Sequence, residues 1–273
     1  MIKRFFKWLF RTAVMFVALF AAMLVADYVS HRVEPGSVLR IKLDGPVVER
    51  GATGLLSFVQ PTEIPLDQLR TALNHAAKDP RISGLEIKVF APELELAQAQ
   101  EIVALIKAFK STGKWTAAYV ESAGEGGPGN LSFLIAAATD EVSLMPQGEI
   151  NLIGVGLREL FARGTLDWLG ISPNFASAGK FKSAANLFTD KDFTAAQKEE
   201  DEGLVSSMYD QLVAGVSAER KLSLDTVKAL VDQAPFNAQA ALKAHLVDRI
   251  EYEDQFDERI KQRRGGKESG IVG

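Results

Sequence analysis

Apolar and charged residues alternate over residues 38–43 (VLRIKL), a period of two that predicts a strand with one buried face, turned by Asp44, Gly45 and Pro46. Leu66, Leu69, Leu73, Ala76 and Ala77 then recur at helical spacing behind Pro65, which suits a first helical turn. Residues 84–90 (GLEIKVF) read as the next strand. After them Ile102, Leu105, Ile106 and Phe109 mark one face of a helix that ends before Gly113. Residues 115–120 (WTAAYV) predict a strand, residues 131–138 a short apolar helix and residues 142–145 a further strand. Strand alternating with helix at this spacing argues an α/β fold with parallel strands and right-handed crossovers. Beyond it the pattern predicts a helix over 157–169 closed by Gly170, and a short strand over 174–177. Thr194 and Gln197 have capping-box spacing at the head of a long helix, and Ser223 and Asn237 are two further N-caps, so the last third reads as helical. Glu199, Glu200, Asp201 and Glu202 fall on the first turns of that long helix, where its dipole favours acids and no metal is needed to explain them.

The N-terminus breaks this rhythm. Residues 12–26 carry no charge, Phe5, Phe6, Trp8, Leu9 and Phe10 extend the apolar character backwards, and Lys3, Arg4, Lys7 and Arg11 flank it. Positive charge before an apolar run predicts a single span over residues 5–29, with the N-terminus in the cytoplasm and the bulk beyond the cytoplasmic (inner) membrane. A cleaved signal peptide is the rival, but residues 27–31 offer no small-x-small cleavage site. The expected organisation is a stub and anchor over 1–29, one domain over 30–264, and a polar tail over 265–273.

With 47% apolar and 24% charged residues in 273, the body has an ordinary globular composition. The absence of cysteine excludes disulfides, thiolate metal sites and cysteine nucleophiles. The formal charge is −4, and setting aside the four N-terminal positives leaves −8 on the remainder, so nucleic acid is not an expected partner. The one basic cluster, Lys261, Arg263, Arg264 and Lys267, reads as a solvated end.

Gly124, Gly126 and Gly129 fit a G-x-G-x-x-G pattern between strand and helix. The match follows a late strand, contains Pro128 and lacks a partner acid about 20 residues on, which argues for a flexible loop beside a site over a nucleotide cradle. His31, His75 and His245 are too scattered for a metal or a serine triad. A hydrolytic chemistry on this chain therefore needs another base. Residues 179–188 place Lys180 and Lys182 beside Phe181, Ala184, Ala185 and Phe188, and an amine held against apolar surface loses its proton more easily. Most lysines are solvated, and composition does not choose between these two.

From about residue 38 to residue 253 the order of motifs resembles the signal peptide peptidase (protease IV, SppA) family, in particular the N-terminal half of its long, membrane-anchored form. The residues that carry this are Gly113 and Lys114; Met145, Pro146, Gln147 and Gly148; Leu169, Gly170 and Ile171; Gly179 to Ala184; Ala241 and Leu242; and His245 to Asp248. The resemblance implies a crotonase-like (ClpP-like) fold, no cofactor, and cleavage of remnant signal peptides at the membrane by a serine nucleophile with a lysine base. The lysine before Ser-Ala in that motif falls on Lys182. Asn130 stands at the nucleophile position, Ser132 lies two residues off and would point elsewhere, and Phe90, Ala91, Pro92 and Glu93 replace the glycine-rich turn that would bind an oxyanion. The implied role is the lysine-bearing half of a Ser-Lys peptidase, inactive alone, with the chain ending at 270–273 as if split or truncated. Its partners would be apolar peptides, the lipid bilayer through residues 5–29, and further copies or a serine-bearing half. The alternative is a non-catalytic, membrane-anchored scaffold that only holds such a partner. Acyl-CoA chemistry on the same fold is disfavoured by the expected location.

Overall fold

The computed structural model describes residues 14–20, 23, 33–51, 63–176, 178–264 and 271–272. Much of the expected span over 5–29 and of the tail over 265–273, together with Ser177, lies outside these residues. Residues 14–20 and Met23 are helical and exposed, and no helix among the described residues is long and apolar enough to cross a membrane.

The alternating segments form β1 (Ser37–Val48), β2 (Ile64–Pro65), β3 (Ile82–Glu93), β4 (Trp115–Val120) and β5 (Glu141–Leu144). Between them run α1 (Leu66–Lys78), α2 (Leu96–Lys110) and α3 (Asn130–Ala137). With β8 (Arg249–Ile250) the strands order as β2-β1-β3-β4-β5-β8, and every pairing is parallel. A further short strand, β9 (Ile271–Val272), pairs with the start of β1. The expected α/β class with a parallel sheet is observed.

Register explains the layering. Leu39, Leu85 and Thr116 stand side by side, as do Ile41, Ile87, Ala118 and Val142, and then Leu43, Val89, Val120 and Leu144. Residues two apart share a face, so one face of the sheet is almost wholly apolar and packs with Leu66, Leu73, Ile102, Ile106, Phe109 and Phe133 of the crossover helices. The opposite face presents Arg40, Glu86, Lys88, Ala117, Tyr119 and Ser143. It is covered by α9 (Glu253–Arg263), whose Phe256 packs 5.5 Å from the Tyr119 ring. Lys88 Nζ reaches Glu253 at 2.8 Å and Asp257 at 2.7 Å, and Arg40 lies 2.6 Å from the fully buried Glu86 as an ion contact. Arg259 binds Glu141 and Glu251, and Arg263 binds Glu141 and lies 4.7 Å from the centre of the Trp115 ring. The basic residues expected as a solvated end therefore include Arg263 as a docking group.

Four other expectations are corrected. β1 runs on through Asp44, Gly45 and Pro46 with a register shift instead of turning there, because Pro46 pairs with Glu93 at the sheet margin, where proline is tolerated. The helix expected over 157–169 is reduced to α4 (Arg163–Trp168), and no strand forms over residues 174–176. The glycine loop is pinned: Asn151 Nδ2 donates to the carbonyls of Gly124 and Gly127, and the Gly129 N–H bonds Asn151 O at 2.9 Å. A Cβ on Gly129 would sit 1.8 Å from Ala123 O, so only glycine allows this turn.

After this region come α5 (Asn186–Thr189), α6 (Ala195–Arg220), α7 (Leu224–Gln233) and α8 (Ala238–Lys243). Thr194, Ser223 and Asn237 accept the N–H groups of Gln197, Thr226 and Ala240, as their cap positions predict. Two short strands missed by the pattern, β6 (Glu149–Ile150) and β7 (Phe236–Asn237), pair antiparallel apart from the main sheet.

Candidate active site

The carboxyl ends of β3 and β4 and the first residue of α3 converge on one mouth of the sheet, where parallel α/β folds collect their chemistry. Asn130, 8% exposed, donates from Nδ2 to Gly154 O at 2.5 Å, while its Oδ1 is buried without a hydrogen-bond partner. It lines a depression of about 330 Å³ with Pro92, Leu96, Ser132, Met208 and Leu212. Ser132 also lines the adjoining depression with Glu93, Glu121 and Glu125, so it opens on the same mouth as Asn130 and does not point elsewhere. Where the resemblance looks for a donor turn, the backbone stays extended: Pro92 pairs with Gly45, and proline has no N–H to give.

Lys182 lies on a different part of the molecule. It caps the 3-10 turn Ser183–Ala185, is exposed, and lines a separate open groove with Phe175, Phe181 and Ala184. Around it extends a segment that the sequence presents as ordinary and the structure does not. From residue 153 to residue 196 none of the described residues is buried. Trp168 is 83% exposed, and Leu160, Leu169, Ile171, Phe175 and Phe181 are exposed as well. The segment is held by short polar and aromatic contacts: Phe175 stacks on Phe188 at 5.6 Å, Asp167 binds Arg163 and Lys191, and Ala162 N–H bonds Leu187 O at 2.7 Å.

The two lysines left open by composition differ here. Lys180 Nζ pairs with Glu199 Oε2 at 2.7 Å and sits 4.7 Å from the centre of the Phe181 ring, whereas no ion pair to Lys182 occurs among the described residues. Lys114, which with Gly113 also carries the resemblance, is structural: its ammonium donates to the Ala76 and Asp79 carbonyls at the end of α1, and burial pushes its pKa down.

One residue read from sequence only as a cap partner proves to be buried. Gln197, 2% exposed, donates from Nε2 to Glu159 and accepts from Asn186 Nδ2 at 2.9 Å, tying three segments together. A buried glutamine one turn into a helix of mostly exposed residues is a signal visible only once the helix is placed.

Fold and site together define an α/β domain with parallel strands, a strand-end mouth lined by Asn130 and Ser132, and a lysine-bearing arm without buried residues. A family model described as Peptidase family S49 matches residues 108–267, more than half of the chain, and the chain belongs to this family. It is 27% identical over 238 residues to Serine protease SPPA, chloroplastic, of Arabidopsis thaliana, covering 87% of this chain and 34% of that protein. It is 26% identical over 168 residues to Protease 4 of Haemophilus influenzae, covering 61% of this chain and 26% of that protein. The chain thus spans about a third or less of the length of these relatives. Among solved structures, 1510-N membrane-bound stomatin-specific protease matches with a TM-score of 0.49 and 12% identity, covering 88% of this chain and 90% of that one. A likeness that distant adds nothing to the strand order described above.

Proposed function

We propose that this chain is the lysine-bearing part of a membrane-anchored, crotonase-like serine peptidase that degrades cleaved signal peptides. In this reading Lys182 is the general base and the serine comes from another polypeptide segment. The observation that carries the reading is the arm around Lys182, which exposes a run of large apolar side chains with no core beneath them. Exposed apolar surface of this extent marks an interaction face. A second segment laid over it would remove Lys182 from water, and desolvation disfavours the ammonium. A neutral amine can take the proton of a serine Oγ as that oxygen attacks a peptide carbonyl, and later give it to the leaving amine. Lys180 is poorly suited, since its ammonium is already paired with Glu199. The Asn130 amide offers no nucleophile, and Pro92 offers no oxyanion donor, so both would come with the serine.

The test is to assemble the chain with a serine-bearing half and follow cleavage of an apolar peptide. Lys182→Ala should abolish turnover and leave assembly intact, while Lys180→Ala should spare both. Turnover that survives Lys182→Ala would favour the scaffold reading, and loss with Ser132→Ala in the isolated chain would move the nucleophile into it. Protection of residues 5–29 from protease only in the presence of membrane would support the anchor.

A further inference from the structure

We propose that Gln197 is the positioning residue of this site: with Asn186 and Glu159 it forms a polar clamp that fixes the direction in which Lys182 leaves the arm. The inference rests on Lys182 being the base. Beyond Leu152 the next buried residue among those described is Gln197, 45 positions on, and it is not apolar. The arm therefore has no buried apolar residue of its own among those described; its ring contacts, Phe175 on Phe188 and Phe161 against Phe193, lie at the surface, and the buried contact that is also directional is the hydrogen bonding of Gln197.

The connections lead to the lysine in few steps. Gln197 sits in the first turn of α6, whose N-cap Thr194 accepts its backbone N–H at 3.3 Å. Its side chain does not close the capping box. Its Nε2 donates to Glu159 Oε2, anchoring the strand of chain that enters the arm, and its Oε1 accepts from Asn186 Nδ2 at 2.9 Å, anchoring the chain that leaves it. Asn186 also donates to Thr194 Oγ1 at 3.3 Å. Between Asn186 and Lys182 lies only the 3-10 turn Ser183–Ala185, so the clamp holds one end of a single short turn and the lysine starts from the other. Glu159, Ser183, Ala184, Leu187 and Gln197 line one cleft, and Ser183 and Ala184 also line the Lys182 groove, so the short turn separates the clamp from the lysine. A general base misplaced by about 1 Å can cost a hundredfold in rate, so the clamp belongs to catalysis without touching substrate.

In the assembled peptidase, Gln197→Ala should lower kcat about 10- to 100-fold with KM unchanged, since apolar contacts to the peptide are untouched. Gln197→Glu should be as damaging at neutral pH, because it sets two carboxylates face to face. Combining it with Glu159→Gln restores a donor opposite an acceptor and should recover most of the rate. Amide exchange in Gln197→Ala should rise over residues 157–162 and 183–189 and stay unchanged in β3 and β4. Asn186→Ala provides the same reading should Gln197→Ala fail to fold. Unchanged kcat in Gln197→Ala beside a dead Lys182→Ala overturns the proposal, as does a loss of rate accompanied by exchange throughout the sheet. Should Lys182→Ala keep its turnover, the base assignment falls separately and exchange judges the clamp: protection lost in both segments keeps it, protection retained overturns it.

Discussion

The sheet and the arm are built on opposite terms. In the sheet, Leu85, Ile87, Val89, Ala118, Val120, Val142 and Leu144 are each within 1% of complete burial, and three helices cover them. In the arm, aromatic and aliphatic side chains of similar size face outward, and the chain is carried from contact to contact by ion pairs, single hydrogen bonds and exposed ring contacts. One region obtains its shape from its own interior. The other has apolar surface enough for an interior, and nothing in the described residues closes it.

The sharpest way to break that contrast is at the lysine. Removing a proton-transfer group costs about 10²- to 10⁴-fold in rate. On the proposed assignment of Lys182 as the base, Lys182→Ala should remove nearly all turnover from the assembled peptidase while leaving the thermal midpoint of the isolated chain within about a degree or two, because the side chain is exposed there. A clear fall in the isolated chain's midpoint would show that the arm has structure of its own to lose. The next test sets one aromatic against another. Phe133 is fully buried in the core, and Phe133→Ala should cost about 3–5 kcal/mol by urea unfolding. Trp168→Ala should stay within about 0.5 kcal/mol in the isolated chain, as exposed substitutions do. Measured as association with a covering partner, the same change should cost about 2 kcal/mol or more, the size expected of a tryptophan anchor. Equal effects on unfolding would erase the distinction between the two regions.

The same contrast decides what was legible in the sequence. Strands β1, β3, β4 and β5 and helices α1 to α3 announce themselves because burial imposes a period, and the caps Thr194, Ser223 and Asn237 because each satisfies a local N–H. Residues 157–169 have the same helical spacing of leucine and phenylalanine, yet only six of them are helical. Periodicity predicts a helix through the face it will bury, and here Leu157, Leu160 and Leu169 all stay exposed among the described residues. Strands β6, β7 and β8 are two residues long, too short to carry any period. Family resemblance singles out Asn130 and Lys182 as candidates, whereas nothing in the sequence announces the burial of Gln197, because a glutamine at that position reads equally well as a cap.

The last test concerns the polar face of the sheet, where charge takes the place that leucine holds opposite. Glu251 lies at the end of β8, its Oε1 accepting from Ser143 Oγ at 2.6 Å and from Arg259 Nη2 at 2.7 Å. Burial, the largest single influence on it, works upward, but the bonds from Arg259 and Ser143 and the nearby charges of Arg259 and Arg249 outweigh it and hold the carboxyl below its ordinary range. A depressed folded pKa means stability that is present above the unfolded value, near 4.3, and lost as pH falls through the folded value. Glu251→Gln keeps the shape and removes the charge, so it should cost about 1.5–3 kcal/mol at neutral pH, the range for hydrogen bonds to charged groups. The cost should shrink in acid as the wild-type carboxylate becomes protonated. Glu86 carries the opposite sign, since burial dominates and raises its carboxyl pKa; its contribution favours the fold at low pH and fades as pH rises through the folded value. Urea unfolding of the Glu251→Gln chain across the acid range separates the two: a cost that does not change with pH would mean that α9 is held by the Phe256 and Tyr119 contact, with the surrounding charges contributing shape alone.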